Sequence, residues 1–415
     1  MSLLQVALEP STLVVAVDPG KVMNRVWVSD GSGLLADPVS LPVSRAGVEG
    51  LEQILAGRGE GCAGLVIAVE ATGSLHRAWA HELERRHPGG VRLFAPSETK
   101  AARIQLGSGR FKTDDRDCAA LTYLARQGAG RVLVDELEVE ALRAVVRHRR
   151  GLVADRKVAQ QRLHDQLNNL VPGLSAPAGH AGYGRSLAVE HPSGQAVLAC
   201  AAAFAGRPPS VRSLLARAPG RLTKADAQYW VERWRGCLSP PHDAERRARR
   251  LATDLARYRA LCSDIATLEG EIGDLLAGTD GQILTTLPGV AVVRAAAFAA
   301  HSLPIDRFPD ADHLYSTTGL APALYQSATL HRRGRISRQG LAEHRDALMA
   351  IAWGLSVFSP SFAQRDREYR ARGMKPIQAR VALARHACRL AYRILKTQQP
   401  FDEEAYRRGR HSRGR

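Results

Sequence analysis

Short apolar runs alternate with helical patterns over the first 134 residues. The segments STLVVAVDPG and GCAGLVIAVEATG each contain an apolar run that ends at a carboxylate, and VMNRVWVSD alternates apolar with polar positions. GVRLFAP is typical of a further strand, and SLHRAWAHELERR has the apolar spacing of an amphipathic helix. The pattern predicts an α/β domain in which helices flank a mixed sheet.

Two long Pro-free segments predict long helices in the middle of the chain. The first runs from about 136 to 170 and the second from about 243 to 276, each with charged residues around an apolar stripe. Two such helices around an insert predict an antiparallel coiled-coil pair. The insert, at about 175–242, is rich in glycine, proline and alanine, and its sequence indicates no function.

The last third of the chain has a mainly helical pattern. ILTTLPGVAVVRAAAFAAHSL places a Pro-Gly turn between two helical stretches, which predicts a helix-hairpin-helix-like element whose backbone amides suit a DNA phosphate. Any Pro-Gly turn between helices has this pattern as well. We therefore predict three domains: an α/β domain over 1–134, coiled-coil helices over 135–280, and a mainly α-helical domain with a basic tail over 281–415.

The net charge of the chain indicates which classes of partner it can bind. Lysine and arginine number 58 against 41 acidic residues, a formal net charge of +17. Such an excess indicates a polyanionic partner, most simply nucleic acid, although an arginine-rich genome produces the same excess. No apolar run approaches the ~18 residues of a spanning helix, so we expect no membrane. Six scattered cysteines without a CxxC pair favour the cytoplasm, with nucleoid association when bound to DNA.

Four carboxylates are candidate metal ligands. Asp18 and Glu70 each follow an apolar strand, and carboxylates at the ends of neighbouring strands converge. Asp114 and Asp117 lie three residues apart and share one helical face. Converging carboxylates repel one another, and the usual remedy is a pair of Mg²⁺ or Mn²⁺ ions. Such a pair can clamp the attacking and leaving oxygens of a phosphodiester.

Each carboxylate also has an ordinary structural explanation. Asp18 before Pro-Gly could start a turn, and Glu70 could cap the helix that follows it. Asp114 could be a favourable negative charge at a helix N-terminus. Their order within one α/β segment of a basic chain favours the metal site.

These motifs resemble a known family. VVAVDPGK, VIAVEATG and KTDDRDCAAL are similar to the acidic signature of insertion-sequence one-ten transposases, which have a RuvC/RNase H-like DEDD domain and include pilin-gene invertases and bridge-RNA-guided recombinases. LTTLPGVAVVRAAAFAA and the stretch containing YQSATLHRRGRISRQG resemble the family's C-terminal transposase domain. The resemblance covers roughly residues 12–128 and 280–395.

The resemblance implies specific residues and partners. It places the metal-binding tetrad at Asp18, Glu70, Asp114 and Asp117. It matches Ser327 to the family's nucleophilic serine, where Ala328 stands in place of the family's usual glycine. It also implies Mg²⁺ or Mn²⁺, donor and target double-stranded DNA, a structured noncoding guide RNA, and a homo-oligomer, dimer or tetramer, with composite active sites.

Basic residues accompany both candidate regions. Lys112 precedes Asp114, and four arginines follow Ser327 within eleven residues: Arg332, Arg333, Arg335 and Arg338. Guanidinium and ammonium groups neutralise phosphates, so we predict nucleic-acid contacts at these five positions. Taken alone, a serine in a polar loop is usually a turn or cap residue. A serine hydroxyl also needs activation, here by metal ions and nearby bases.

Three functions are compatible with these residues. The favoured one is a DNA recombinase that cuts and rejoins DNA through a covalent phosphoserine intermediate. The alternative is a RuvC-like, metal-dependent, structure-specific nuclease that uses water, leaves free ends and does not need Ser327. The third is a non-catalytic nucleic-acid-binding protein whose acidic residues are structural and which breaks no strand.

Overall fold

A computed structural model of the chain describes residues 7–58, 62–107, 111–133, 137–175, 185–327 and 330–412. Side chains are described for the same residues except 323–327, 330–335 and 409–412. The chain divides into two compact units, Met1–Glu136 and Leu137–Arg415. The three-domain division made from the sequence stays a prediction.

The first unit contains a mixed sheet. Its strands are β1 (Leu13–Asp18), β2 (Met23–Ser29), β3 (Val39–Pro42), β4 (Leu65–Glu70), β5 (Val91–Phe94) and β6 (Arg131–Val132). They lie in the order β3-β2-β1-β4-β5-β6. β1, β4 and β5 are parallel neighbours, whereas β2, β3 and β6 pair antiparallel with theirs. The predicted mixed sheet is confirmed.

Helices cover both faces of this sheet. They are α1 (Arg45–Ala56), α2 (Arg77–Arg86), α3 (Pro96–Gln105) and α4 (Asp114–Arg126). On one face Val15 of β1 packs with Leu51 of α1 and Leu83 of α2. On the other face Val14 packs with Leu121 of α4. Successive side chains of a strand point to opposite faces, so β1 needs apolar residues at every position, and all of Leu13–Val17 is buried.

The second unit begins with five helices. They are α5 (Leu137–Leu170), α6 (Pro192–Ala203), α7 (Val211–Ala216), α8 (Lys224–Arg235) and α9 (Ala244–Ala277). α5 and α9 lie side by side, where Arg149 pairs with Glu269 at 2.5 Å and Gln166 donates to Asp254. The residue numbers in α9 fall as those of their partners in α5 rise, so the two helices are antiparallel. Both long helices lie where the sequence predicts them; their supercoiling stays a prediction.

The insert between the long helices has its own core. Trp230 and Trp234 of α8 pack with Leu163 and Leu167 of α5 and with Tyr258 of α9. Burying large aromatic side chains contributes strongly to a core. The described part of the insert is therefore folded against the distal ends of α5 and α9.

The remaining elements form a second core. They are short 3₁₀ turns at Asp280–Thr286 and Ile305–Arg307, α10 (Val292–Ser302), α11 (Ala311–Thr317), β7 (Pro322–Ser327), β8 (Leu330–Ile336), α12 (Ala342–Phe358), α13 (Pro360–Ala371), α14 (Pro376–Thr397) and α15 (Glu403–Ser412). Phe298 of α10, Ile351 of α12 and Leu383 of α14 meet in the interior. The mainly helical prediction is confirmed, and α15 begins the basic tail.

The predicted Pro-Gly hairpin is a tightly packed turn. Gly289 has a φ of 74°, and a Cβ there would lie 2.9 Å from the carbonyl oxygen of Gly354 in α12. Only glycine fits both this conformation and this close approach. The carbonyl of Gly289 also accepts a hydrogen bond from Arg294. A 3₁₀ turn precedes Gly289 and α10 follows it, so the helix-hairpin-helix assignment stays a prediction.

A buried histidine joins three elements of this core. His344 of α12 lies within hydrogen-bond distance of the Ser302 hydroxyl of α10, at 3.0 Å, and of the Thr317 hydroxyl of α11, at 3.2 Å. Burial lowers the pKa of His344 to about 3. The ring is therefore neutral at physiological pH and acts as a fixed polar link.

Among the described residues, no single helix has the length and apolar composition needed to cross a membrane. α12 and α13 meet those criteria only as a pair, and they are bent by 100° at their junction.

Candidate active site

Asp18 and Glu70 lie side by side at one edge of the first unit's sheet. They are the last residues of β1 and β4. These strands are parallel and pair Val17 with Val69, so the residues that follow are neighbours. Glu70 is 8% exposed and Asp18 is partly buried. The convergence expected from the sequence is therefore present at the carboxyl ends of these two strands.

The first turn of α4 is fastened beside these strands. The Thr113 side chain caps the helix by accepting from the backbone N–H of Arg116 at 3.3 Å. Asp115 accepts from Arg25 Nε at 2.6 Å and from the Trp27 indole N–H at 2.9 Å. Arg25 is the register partner of Asp18 across β1 and β2. Asp115 thus ties α4 to β2, where Cys118 Sγ also donates to the carbonyl oxygen of Arg25.

Asp114 and Asp117 occupy different environments on the same turn. Asp114 is exposed, whereas Asp117 is 1% exposed. Asp117 accepts a hydrogen bond from Arg103 of α3, and both side chains of this ion pair are largely removed from solvent. A buried carboxylate needs such compensation. Arg103 is therefore the counterion of Asp117 in this structure.

The four carboxylates interact electrostatically. The pKa of Asp18 is raised to about 7, first by burial and then by the negative charges of Glu70, Asp117 and Asp114. The positive charge of Lys112 opposes this rise in pKa. Nearby charges shift a pKa in this way only over short separations. The structure thus places the other three carboxylates of the predicted tetrad, and Lys112, close enough for their charges to act on Asp18.

Two residues of this site were missed by the sequence reasoning. Arg103 binds Asp117, and the Thr72 hydroxyl donates to Glu70 Oε1 at 2.5 Å. Thr72 follows Glu70 in the ATG turn, so its proximity was visible in the motif. Arg103 had no comparable signal, because its pairing depends on how α3 packs against α4.

The donor chemistry of the tetrad fits a divalent cation, since hard oxygen ligands are those that Mg²⁺ prefers. Burial and, after it, the negative charges of Glu70, Asp117 and Asp114 raise the pKa of Asp18, and a cation would offset the repulsion by these charges. In the part of the chain that the structure describes, however, no group of three or more His, Cys, Asp or Glu side chains is arranged to hold a metal ion. Asp117 is engaged by Arg103 in this arrangement.

The second candidate region lies in the β7–β8 hairpin. Ser327 is the last residue of β7, and its backbone pairs with Leu330 across the antiparallel hairpin. The sequence reasoning treated this stretch as a polar loop; the two strands were missed because arginines interrupt their apolar positions. Residues 328–329, and the side chains of Ser327 and of three predicted arginines, lie outside the described residues: Arg332, Arg333 and Arg335.

Two backbone hydrogen bonds hold the base of this hairpin together. Arg338 is exposed, has a φ of 55°, and donates its backbone N–H to the Gly319 carbonyl at 3.0 Å. The backbone N–H of Leu341 donates to the Thr317 carbonyl at 3.0 Å. These bonds fix the two ends of the hairpin to each other, next to the His344 link.

Two family models match the chain. One, described as a transposase and built on the DEDD type of IS110, matches residues 15–172 and so includes the whole tetrad. The other, described as the transposase IS116/IS110/IS902 family, matches residues 281–367 and includes Ser327. Together they span more than half of the chain. The chain belongs to the IS110/IS116 family of transposases.

Curated relatives agree with this membership. An uncharacterized 44.8 kDa protein of insertion element IS116 from Streptomyces clavuligerus is 27% identical over 327 residues, which are 74% of this chain and 77% of the relative. An uncharacterized 43.6 kDa protein of insertion element IS110 from Streptomyces coelicolor is 32% identical over 130 residues, 31% of this chain and 32% of the relative. This transposase therefore acts on DNA in the transposition of a mobile element.

Proposed function

We propose that this transposase cuts and rejoins DNA through a covalent phosphoserine intermediate, with a divalent-cation site at the DEDD carboxylates. The observation that carries the proposal is geometric: Asp18 and Glu70 end the parallel neighbours β1 and β4, and the charges of Asp117 and Asp114 act on Asp18 at the same strand end. The strand order β3-β2-β1-β4-β5, with its parallel centre, supports a RuvC/RNase H-like assignment for the unit that carries them.

The carboxylates would hold the cation, and Mg²⁺ or Mn²⁺ would supply Lewis-acid stabilisation of a phosphodiester. Asp18 and Glu70 offer oxygens from the sheet edge, and Asp114 offers an exposed oxygen from α4. Asp117 is held by Arg103, so its participation requires that guanidinium to release it or to share it. Asp115 remains engaged with β2 and positions the helix that carries Asp114 and Asp117.

Ser327 would act as the nucleophile. Its hydroxyl oxygen forms a bond to phosphorus, the bond to one strand oxygen breaks, and that oxygen leaves as a hydroxyl after taking up a proton. The reverse attack by a strand hydroxyl releases the serine and rejoins DNA. Lys112, Arg332, Arg333, Arg335 and Arg338 would neutralise the phosphates of donor and target DNA.

The proposal includes guidance by a structured noncoding RNA and a homo-oligomer with composite sites, both of which the family resemblance implies. It also includes a coiled coil at α5 and α9 and a helix-hairpin-helix at Gly289, which the sequence pattern predicts. A basic chain with a net charge of +17 supports the nucleic-acid partners. A cytoplasmic, DNA-associated location follows from the same substrates.

The test is a covalent-adduct assay. Purified protein, with its co-purifying nucleic acid, is incubated with Mg²⁺ and labelled DNA that spans the element's junction. The mixture is then denatured and examined for a protein–DNA adduct. We expect the adduct with wild type and its loss in Ser327→Ala and Asp114→Ala. Asp37→Asn is the matched control, because it neutralises an exposed carboxylate of the same unit outside the tetrad, and it should retain the adduct.

The other outcomes separate the alternatives. Cleavage without an adduct that persists in Ser327→Ala would replace the recombinase with a water-using nuclease. Binding without strand breakage in every variant, even with added element RNA, would favour a non-catalytic protein.

A further inference from the structure

A cleft of about 390 Å³ lies in the second unit where the insert meets the start of α9. Its basic lining comes from Arg207, His242, Arg246 and Arg249. Neither of the two matching family models spans it, since their matches end at residue 172 and resume at residue 281. The sequence of this segment had indicated no function.

A rigid turn places Arg207 at the cleft. Ala205 and Gly206 both have left-handed backbones, with φ of 48° and 78°. The buried indole N–H of Trp234 donates to the carbonyl of Gly206 at 2.9 Å, and the N–H of Arg207 donates to the carbonyl of Phe204 at 3.0 Å. A non-glycine residue in this conformation costs about 1 kcal/mol or more, so the surrounding core holds the turn in place.

The charge of the cleft is strongly positive. We call Arg207, Arg246 and Arg249 the arginine cleft. Two acidic residues also line it, Asp243 and Glu245. The carboxylate of Asp243 is paired with Arg247 at 2.7 Å, so Glu245 is the acidic charge that remains to oppose the three arginines.

Exposed arginines continue from the cleft along α9. Arg250 and Arg257 lie within about 40° of Arg246 around the helix, and the run from Arg246 to Arg257 is about 17 Å long. In the part of the chain that the structure describes, no acidic side chain forms an ion pair with Arg246, Arg249, Arg250 or Arg257. Beyond Asp264, the charged residues of α9 are all acidic. The positive charge is therefore concentrated beside the cleft.

We propose that the arginine cleft, with Arg250 and Arg257, binds the phosphodiester backbone of a nucleic acid. Exposed guanidinium groups without carboxylate partners donate paired hydrogen bonds to phosphate oxygens. The length of the stripe matches the axial length of about five nucleotide steps in duplex DNA. The site recognises the charge and the spacing of backbone phosphates. Its binding of nucleic acid does not depend on whether Ser327 is a nucleophile.

Charge reversal in the full-length protein tests this site. Arg207→Glu, Arg246→Glu and Arg249→Glu are combined in one variant, and binding of labelled duplex DNA and of labelled structured RNA is measured across salt concentrations. We expect at least about tenfold weaker binding and a salt slope smaller by about three. The matched control reverses Arg212, Arg221 and Arg235, which are exposed in the same segment but do not line the cleft; it should change binding much less.

A gain-of-binding variant makes the test independent of folding defects. Glu245→Gln removes the opposing charge and should tighten binding of the same probe. A loss with duplex DNA alone identifies DNA as the ligand, and a loss with RNA alone identifies RNA. Equal weakening by the cleft and control variants, or no effect of Glu245→Gln, would overturn the proposal, whereas the adduct assay reports on Ser327 separately.

Discussion

At the scale of single residues, Arg103 is the basic side chain that neutralises one of the four candidate carboxylates, Asp117. Its guanidinium pairs with Asp117, and the exposed fractions of the two side chains are 11% and 2%. Removing one partner of a buried pair leaves an uncompensated charge, which is far more costly than losing an exposed pair. Arg103 thus stabilises the fold, and a cation at the proposed site would have to compete with it for the Asp117 carboxylate.

Arg103→Gln should therefore lower the free energy of unfolding by about 3–5 kcal/mol without metal. Mg²⁺ should restore much of this loss, because the freed Asp117 carboxylate binds the cation more tightly. Chemical denaturation with EDTA and with Mg²⁺ measures both effects. Arg85→Gln, which breaks an exposed pair with Glu82, is the control and should change little. Equal destabilisation in both buffers would exclude competition between Arg103 and the metal.

Asp18 makes the stability of the first unit depend on pH. Its folded pKa is about 7 against 3.8 ordinarily, so the folded state retains a proton over that window that the unfolded state loses. The free energy of unfolding should then fall as pH rises from about 4 to 7, by about 1.4 kcal/mol at most for each pKa unit. Asp18→Asn should flatten this dependence in metal-free buffer and stabilise the unit at pH 8. A wild-type slope unchanged in this variant would assign the pH effect to other groups.

The sequence predicts these residues unequally, for physical reasons. Asp18 and Glu70 end apolar runs, and strand ends in a parallel sheet meet at one edge, so their proximity follows from pattern alone. The pairing of Arg103 with Asp117 depends on the packing of α3 against α4, which no spacing rule encodes. The role of Asp115 was hidden for the same reason, because its partners lie on β2.

At the scale of elements, the helices and strands that can be predicted from sequence are those long enough to repeat their hydrophobic periodicity several times. The two 34-residue helices and the long apolar strands repeat their periodicity often enough to be recognised. β6 has two residues and β7–β8 carries arginines along a strand, so neither displays a clear alternation. Short or charge-rich strands form because a neighbouring strand pairs with them. The local sequence of such a strand does not show that this neighbour is present.

The His344 link joins α10, α11 and α12 next to the base of the β7–β8 hairpin. His344→Leu should cost about 1–3 kcal/mol, because it leaves the buried Ser302 hydroxyl without its partner. Faster hydrogen exchange should appear in backbone amides of residues 317–321 and 337–341. His313→Leu, at an exposed histidine of α11, is the control. Unchanged exchange at the hairpin base in His344→Leu would show that the link does not extend to the hairpin.

His344 and the neighbouring His301, whose ring centroids lie 5.8 Å apart, should make the core of the second unit sensitive to acid. Burial lowers the pKa of His301 to about 4 and that of His344 to about 3, both from 6.5. A lowered histidine pKa means that the unfolded state binds protons first, so their contribution to stability is complete above pH 6.5 and declines as pH falls towards 3–4. Denaturation of the wild type and of His344→Leu at pH 7 and pH 5 should show a smaller pH effect in the variant.

At the scale of the whole molecule, we expect the stabilities of the two units to respond in opposite ways to pH. Raising pH should remove stability from the first unit through Asp18, whereas lowering pH should remove stability from the second through His301 and His344. Only the first unit carries the carboxylate tetrad. A ligand that binds the folded state stabilises it in proportion to the logarithm of its concentration over the dissociation constant, so a cation at the tetrad should protect one unit selectively.

Hydrogen exchange read peptide by peptide can separate these responses in the intact chain. At pH 8, Mg²⁺ should slow exchange in residues 13–18, 65–70 and 114–126 and leave the core of α10, α12 and α14 unchanged. The same addition to Asp114→Ala should have little effect, whereas Asp37→Asn, at an exposed carboxylate outside the tetrad, should respond like wild type. Protection spread evenly over both units would indicate non-specific ion binding. Protection confined to the first unit and lost with Asp114 would locate the cation at the carboxylates independently of any measurement on DNA.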